Sequence, residues 1–378
     1  MDKEKTGLRT WIEIDRKAIE HNYSIFCKLT PPETKICAVV KSNAYGFDLM
    51  QFSKELVRLG VDWLAVDSVV EGLRLRREGI DKPILVLGHT MPERISEAVE
   101  KGLSISVSNF EALDSVLSQS FEKKPKVHIK IDTGMTRQGF LDDDQKSLLA
   151  KLESVKEKID FEGLFTHFAD AKNPSFPDST KKQIELFNKW RDVFQSNGFT
   201  FISHASASSG ALLYPEAHFD MVRIGISLYG LWPSLEAKAY LQNRINLEPV
   251  MSWKAILSEV KSVPQGTKVG YGFTETLHRD TKVAVCPIGY WHGFSRKLSG
   301  IGSVLVNGQR AKVLGRVSMD MITFDVTDIS DVSVGDEVVL LGRQKDGEIT
   351  AYEMAGLDDT SWYETVTRIN PLIKRIYK

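Results

Sequence analysis

Up to about residue 245 the chain alternates short runs rich in β-branched residues with amphipathic stretches, and this rhythm limits the fold more than any other feature. The runs fall at residues 36–40, 63–66, 84–87, 103–107, 127–131, 161–166, 199–203 and 221–225. Between them, residues 52–59 and 70–78 place apolar side chains at three- and four-residue spacing, the period of a helix with one buried face. Apolar strands alternating with helices build a parallel sheet that helices cover. Eight such runs predict a (β/α)8 barrel of the TIM type, an α/β fold. An open doubly wound sheet would also alternate, but no GxGxxG fingerprint follows the first run.

The rhythm changes after Leu247. Residues 252–263, 283–287, 303–306, 311–314, 322–326 and 337–341 read as strands joined by turns, with Asn307-Gly308 a hairpin signal. The expected organisation is therefore a barrel over residues 1–245 and a mainly antiparallel β domain over 246–378, with the first residues free to pair with the β domain. At 42% hydrophobic and 26% charged, with a formal net charge of −1, the chain has ample core and no bias toward nucleic acid or anionic membranes. Cys27, Cys37 and Cys286 lack the spacing of a metal site. The N-terminal Met1-Asp2-Lys3-Glu4-Lys5 leads into no apolar segment, and no long uncharged apolar run follows, so a cytoplasmic protein is expected.

A barrel carries its chemistry at the C-terminal ends of its strands. The first strand ends at Lys41, followed by Ser42-Asn43-Ala44-Tyr45-Gly46. Schiff-base chemistry needs an unprotonated amine, which a desolvated strand mouth can supply. The fifth strand carries Lys130 and runs through Asp132 to Arg137, and the sixth ends at His167. Lys130 points into the barrel and must be paired or chemically altered, whereas Asp132 reads as structural. The seventh strand leads into residues 204–210, and the eighth carries Arg223 before Gly225-Ile226-Ser227. Small and hydroxyl residues after the last two strands suit the phosphate site common in this fold. A phosphate cradle, a strand-end lysine, two arginines and a histidine suit pyridoxal 5'-phosphate.

These residues stand in motifs that resemble alanine racemase, a family of fold-type III pyridoxal phosphate enzymes. The resemblance rests on residues 38–46, 130–137 and 221–230, and continues through 269–272, 287–290, 314–320 and Tyr363-Glu364. It implies Lys41 as the Schiff-base lysine and one acid/base group. Tyr271, contributed by the partner subunit of a homodimer, is implied as the other. Arg223 would face the pyridine nitrogen, and Arg137 the phenolic oxygen and the substrate carboxylate. Tyr45, Ser208, Gly225, Ile226 and Tyr363 would hold the phosphate, and His167 would support Tyr271 and Arg223. Lys130 matches the position that becomes carbamylated in many members. Tyr290, Met319 and Asp320 would line the substrate entrance from the partner. The chain departs from the family pattern at Phe47-Asp48, Ala207 and Trp291-His292.

The resemblance implies interconversion of L- and D-alanine by two bases on opposite faces of the substrate, supplying D-alanine for peptidoglycan. A guanidinium about 3 Å from a pyridine nitrogen opposes its protonation by roughly 5 kcal/mol at an effective dielectric of ~20. The cofactor is then a weaker electron sink, which favours racemisation over transamination. An amino-acid decarboxylase of similar architecture would place glutamate where Arg223 stands, and a non-catalytic pyridoxal phosphate carrier would lack the β domain. Serine is the alternative substrate.

Overall fold

The computed structural model describes residues 3–378; Met1 and Asp2, the start of the N-terminal segment read above, lie outside the described residues. The chain forms two compact units. One comprises Lys17–Ala44 and Leu49–Glu248; the other comprises residues 3–16, Tyr45–Asp48 and Pro249–Lys378.

The first unit is built on an eight-stranded sheet. In chain order its strands are Lys35–Val39, Trp63–Val66, Ile84–Val86, Leu103–Val107, Lys126–Lys130, Asp160–Phe165, Ile202–His204 and Met221–Ile224. Neighbours pair in parallel, and the last strand pairs with the first. Backbone bonds complete the barrel at the seam between strands seven and eight: Asp220 N–H donates to Ser203 C=O at 3.0 Å and Arg223 N–H to Ser206 C=O at 2.9 Å. The Asp220 carboxylate reinforces the seam by accepting from Ser203 N–H at 2.7 Å and from Ser203 Oγ–H.

The seventh strand begins later than its apolar run suggests. Phe199 and Phe201 pack instead with Phe161 and Phe194 as an aromatic cluster, and ladder pairing starts at Ile202. Aromatic burial there outweighs local strand propensity.

In the second unit, a ten-stranded sheet is antiparallel apart from the parallel pair Thr10–Ile14 and Arg375–Tyr377. The run read as one strand over 252–263 divides into Met251–Ile256 and Glu259–Val263, because the two halves pair with different neighbours. Asn307 and Gly308 both have positive φ (52° and 85°), as a type I′ hairpin requires, and join Ser303–Val306 to Gln309–Leu314. Two helices, Ala351–Asp358 and Trp362–Thr367, were absent from the sequence reading. Their signals were Thr350-x-x-Glu353 and Ser361-x-x-Glu364: the Thr350 and Ser361 hydroxyls accept from Glu353 N–H and Tyr363 N–H. Among the described residues, no helix is long and apolar enough to cross a membrane.

Asp220→Ala removes the charged acceptor at the barrel seam and is expected to cost about 1–2 kcal/mol. Asp220→Asn, which keeps one acceptor oxygen, should cost less; equal unfolding midpoints for Ala, Asn and wild type would show that the seam carboxylate contributes nothing.

Candidate active site

The backbone after the first barrel strand is left-handed. Ser42, Asn43, Ala44 and Tyr45 have φ of 57°, 56°, 52° and 52°. L-residues other than asparagine and aspartate rarely adopt this conformation, which costs roughly 1–2 kcal/mol per residue. Glu71, on the helix Val69–Arg77, holds the turn in place. One carboxylate oxygen accepts from Asn43 N–H at 3.1 Å and the other from Asp67 N–H at 3.0 Å. Asn43 Oδ1 then accepts from Leu49 N–H at 3.0 Å. Glu71 thereby positions both Lys41 and Asp67, whose charged groups lie 3.7 Å apart. The Lys41 side chain is 38% exposed, so its amine is not enclosed as the strand-mouth reading suggested. The strand ends at Val39, and the left-handed turn begins almost at once.

Arg223 is only 3% exposed. Its Nη2–H groups donate to Thr166 C=O at 2.8 Å and Ala205 C=O at 2.9 Å, with His167 Nδ1 3.3 Å away. Nη1–H donates to His204 Nδ1 at 2.7 Å. None of these bonds uses Nε–H. The guanidinium also lies over the Phe165 ring, which Lys130 Nζ approaches to 5.7 Å. Burial, with Arg223, Arg137, Lys130 and Lys41 adding repulsion, pushes His167 down to about 3. His167 is therefore neutral at pH 7; with Nδ1 toward a guanidinium that can only donate, its proton sits on Nε2.

Lys130 ends its strand and is buried, with Gln138 Oε1 at 3.3 Å as its hydrogen-bond partner rather than a carboxylate. Burial, then Arg137 and Arg223, lowers its pKa to about 8. Between pH 8 and the ordinary lysine range the unfolded chain binds more protons than the folded one, so this group makes stability rise with pH across that window. Asp132 lies beyond the end of the strand and is structural through the loop amides it binds, not through strand alternation, which would put it on the same face as Lys130. Its carboxylate accepts from the N–H groups of Gly134, Met135, Thr136 and Arg137, closing the loop that presents the exposed Arg137.

Ser208 opens the helix Ser208–Leu213, where its Oγ accepts from Gly225 N–H at 3.1 Å and Ser227 N–H at 3.4 Å. Ser227 Oγ is buried without a hydrogen-bond partner among the described residues. Two amides are gathered on Ser208 Oγ beside the unspent Ser227 hydroxyl, while Asp67 and the backbone-committed Asp132 are the carboxylates drawn into the cation cluster among the described residues. This donor set fits a phosphate together with a second anion, as a pyridoxal phosphate bearing a substrate carboxylate would provide.

In the second unit, Tyr45 and Tyr363 have ring centroids 6.4 Å apart, and burial raises the Tyr45 phenol to about 12. Tyr271, 72% exposed, opens a tight turn in which Gly272 and Phe273 have positive φ (71° and 50°). Tyr290 and Met319 are brought together by backbone bonds: Tyr290 N–H donates to Ser318 C=O and Trp291 N–H to Met319 C=O, each at 3.0 Å. Gly289 permits this approach, since a Cβ there would lie 2.2 Å from Ser318 O. Asp320 lies 3.9 Å from the buried His292, which occupies one of the departing positions. Sequence reasoning missed Glu71, because an acidic residue in the first turn of a charged helix gives no local sign of such a role.

Glu71→Ala is expected to destabilise the protein by about 1–3 kcal/mol, the cost of leaving amides without their charged acceptor. Hydrogen exchange should accelerate at Asn43 and Asp67; unchanged exchange there would refute the clamp.

The geometry can now be set beside known proteins. The chain matches alanine racemase, N-terminal domain, over residues 14–233 and alanine racemase, C-terminal domain, over residues 250–377. It is 40% identical over 372 residues to the alanine racemase of Methanococcus maripaludis, covering 97% of this chain and 98% of that one. Its structure is similar to that of the Bacillus anthracis alanine racemase with bound L-Ala-P, with a TM-score of 0.92, 34% identity and coverage of 98% and 95%. It is also similar to the Bartonella henselae alanine racemase with covalently bound pyridoxal phosphate, with a TM-score of 0.87, 27% identity and coverage of 98% and 100%. An amino-acid racemase built as a barrel with a mainly antiparallel companion domain, this chain belongs to the alanine racemase family.

Proposed function

We propose that the chain interconverts L- and D-alanine with pyridoxal 5'-phosphate, acts as a cytoplasmic homodimer and supplies D-alanine for peptidoglycan. The observation that carries the reading is Arg223, a buried guanidinium fixed by carbonyls and histidines at the end of the last barrel strand. When bound, the cofactor supplies an electron sink beside the substrate α-carbon. Lys41 would hold it covalently, Arg223 would face its pyridine nitrogen, and Arg137 its phenolic oxygen and the substrate carboxylate. Tyr45, Ser208, Gly225, Ile226 and Tyr363 would hold its phosphate. Arg223, a permanent cation, would oppose protonation of the pyridine nitrogen, and return of the proton to the α-carbon would be favoured over transamination.

Lys41 and Tyr271 would exchange that proton on opposite faces of the substrate, with Tyr271 coming from the partner subunit. Neutral His167, with its proton on Nε2, would support both Arg223 and Tyr271. The partner's Tyr290, Met319 and Asp320 would line the entrance. Tyr290, Tyr363 and Met319 would leave room for only a small side chain, which favours alanine. Lys130 would be carbamylated, replacing a buried cation with an anion able to orient Arg137.

The cofactor-loaded protein should convert L-alanine in deuterated water into D-alanine carrying an α-deuteron, with L-serine much slower. Tyr271→Phe should preserve the absorption of the bound cofactor yet slow exchange from L-alanine by on the order of 10²–10⁴. Full activity in both directions would eliminate the second base. For Lys130, labelled bicarbonate should give a carbamate ¹³C resonance that Lys130→Ala lacks, strengthening as the pH passes about 8 and the amine loses its proton. A wild-type spectrum without that resonance at any pH would overturn carbamylation.

A further inference from the structure

Arg223 does not end its contacts at His204. His204 Nε2 lies 2.9 Å from His128 Nδ1, and His128 Nε2 lies 3.2 Å from Glu162 Oε2. Both histidine side chains are fully buried, so an unmade hydrogen bond would be costly. The groups at the two ends fix the direction of the chain. A guanidinium can only donate and an ionised carboxylate can only accept. His204 must therefore accept at Nδ1 and carry its proton on Nε2, and that proton can go only to His128 Nδ1. His128 in turn carries its proton on Nε2 and donates to Glu162.

Other features of the barrel fit the same chain. Burial, together with the nearby Arg223, keeps His204 well below the usual histidine range. Burial likewise lowers His128, with Glu162 only partly opposing it, so both rings are neutral. His128 stands opposite Gly163 in the strand pairing, and a Cβ on that residue would lie 2.2 Å from His128 Nδ1. The His204 ring stacks on Phe165 at 4.8 Å with an interplanar angle of 3°. Glu162 also accepts from Lys126 Nζ at 2.6 Å and from Ser104 Oγ–H, which anchors the carboxylate at the start of the chain. The chain thus runs from the early part of the barrel strands to the mouth where Arg223 sits.

We infer that Glu162 is a positioning residue for Arg223, acting through His128 and His204 by holding both rings as Nε2–H tautomers. A carboxylate at the far end makes His204 Nδ1 a stronger acceptor, and so holds the guanidinium in one orientation. The inference deepens the functional reading, because it concerns the arginine that would face the cofactor ring.

The test begins with ¹⁵N NMR of the full-length, cofactor-loaded protein with labelled histidine. In the wild type, His128 and His204 should both appear as neutral Nε2–H tautomers. Glu162→Gln places an amide opposite His128 that can donate in place of the carboxylate. If it does, the chain can reverse only by giving up the bond from Arg223, because a proton on His204 Nδ1 would face a guanidinium N–H. The expected result is a change of tautomer at His204 and a fall in kcat on the order of 10- to 100-fold, with KM changing less. Glu162→Asp should restore the wild-type tautomers and part of the rate. Imidazolium rings or Nδ1–H tautomers in the wild type would overturn the inference, as would a Glu162→Gln spectrum unchanged at His204. The wild-type spectrum decides even if the variant fails to fold. Correct tautomers in a protein that does not racemise alanine would refute the functional reading alone; wrong tautomers in an active racemase would refute the relay alone.

Discussion

A guanidinium buried in a barrel cannot shed its charge in the physiological range, and much of this site is arranged around that fact. Burial lowers Arg223, yet only to about 10, so it remains a cation at neutral pH. Its surroundings answer with acceptors rather than a carboxylate: the carbonyls of Thr166 and Ala205, and the imidazole nitrogens of His204 and His167. A direct carboxylate partner would neutralise the group electrically. Neutral acceptors fix its orientation and leave its charge available to a ligand. Retaining so polar a network in a close-packed core is costly unless every member is satisfied, and the route through His128 to Glu162 satisfies them.

Lys41, which follows the strand paired with that of Arg223, is placed by different means. Its position depends on backbone conformation rather than on a polar core. Several consecutive left-handed residues are unfavourable on their own, and the turn persists because Glu71 ties it to the next strand's exit at Asp67. The strain sits directly beside Lys41, where it fixes the position of a side chain that stays accessible. The acidic residue that stabilises the turn makes no charge contact with Lys41 itself, so it fixes geometry without adding a second counter-ion to the 3.7 Å Asp67 pair.

This contrast explains what the sequence could reveal. Barrel strands were readable because burial on both faces writes continuous apolar runs, and Lys130 and Arg223 stood out as cations inside them. Strand alternation could not separate Asp132 from Lys130, two residues before it; the loop amides that its carboxylate gathers do so. The left-handed turn could not be seen: of Ser42, Asn43, Ala44 and Tyr45, only asparagine favours positive φ. Glu162 and His128 were equally silent, since their meeting depends on the register of adjacent strands, which shifts between Val127 and His128. The seventh strand was misplaced where Phe199 and Phe201 chose an aromatic cluster over the ladder. The helix carrying Tyr363 was missed although its capping residues were in plain view.

The cation cluster also says something about the protein before it meets any ligand. His167 is depressed first by burial and then by the repulsion of Arg223, Arg137, Lys130 and Lys41, which all bear on it. Asp132 cannot relieve that repulsion fully, because its oxygens are committed to loop amides. Two groups respond by discarding protons: His167 stays neutral far below its ordinary range, and Lys130 begins to lose its charge near pH 8. Arg223 has no such option. Below about pH 6.5 the unfolded chain binds a proton that folded His167 refuses, so this residue contributes less and less stability as pH falls from there toward 3. An anion entering the site relieves the same repulsion that depresses these groups. Binding of an anion should therefore raise the His167 pKa and draw protons into the protein, because that repulsion is released when the anion arrives.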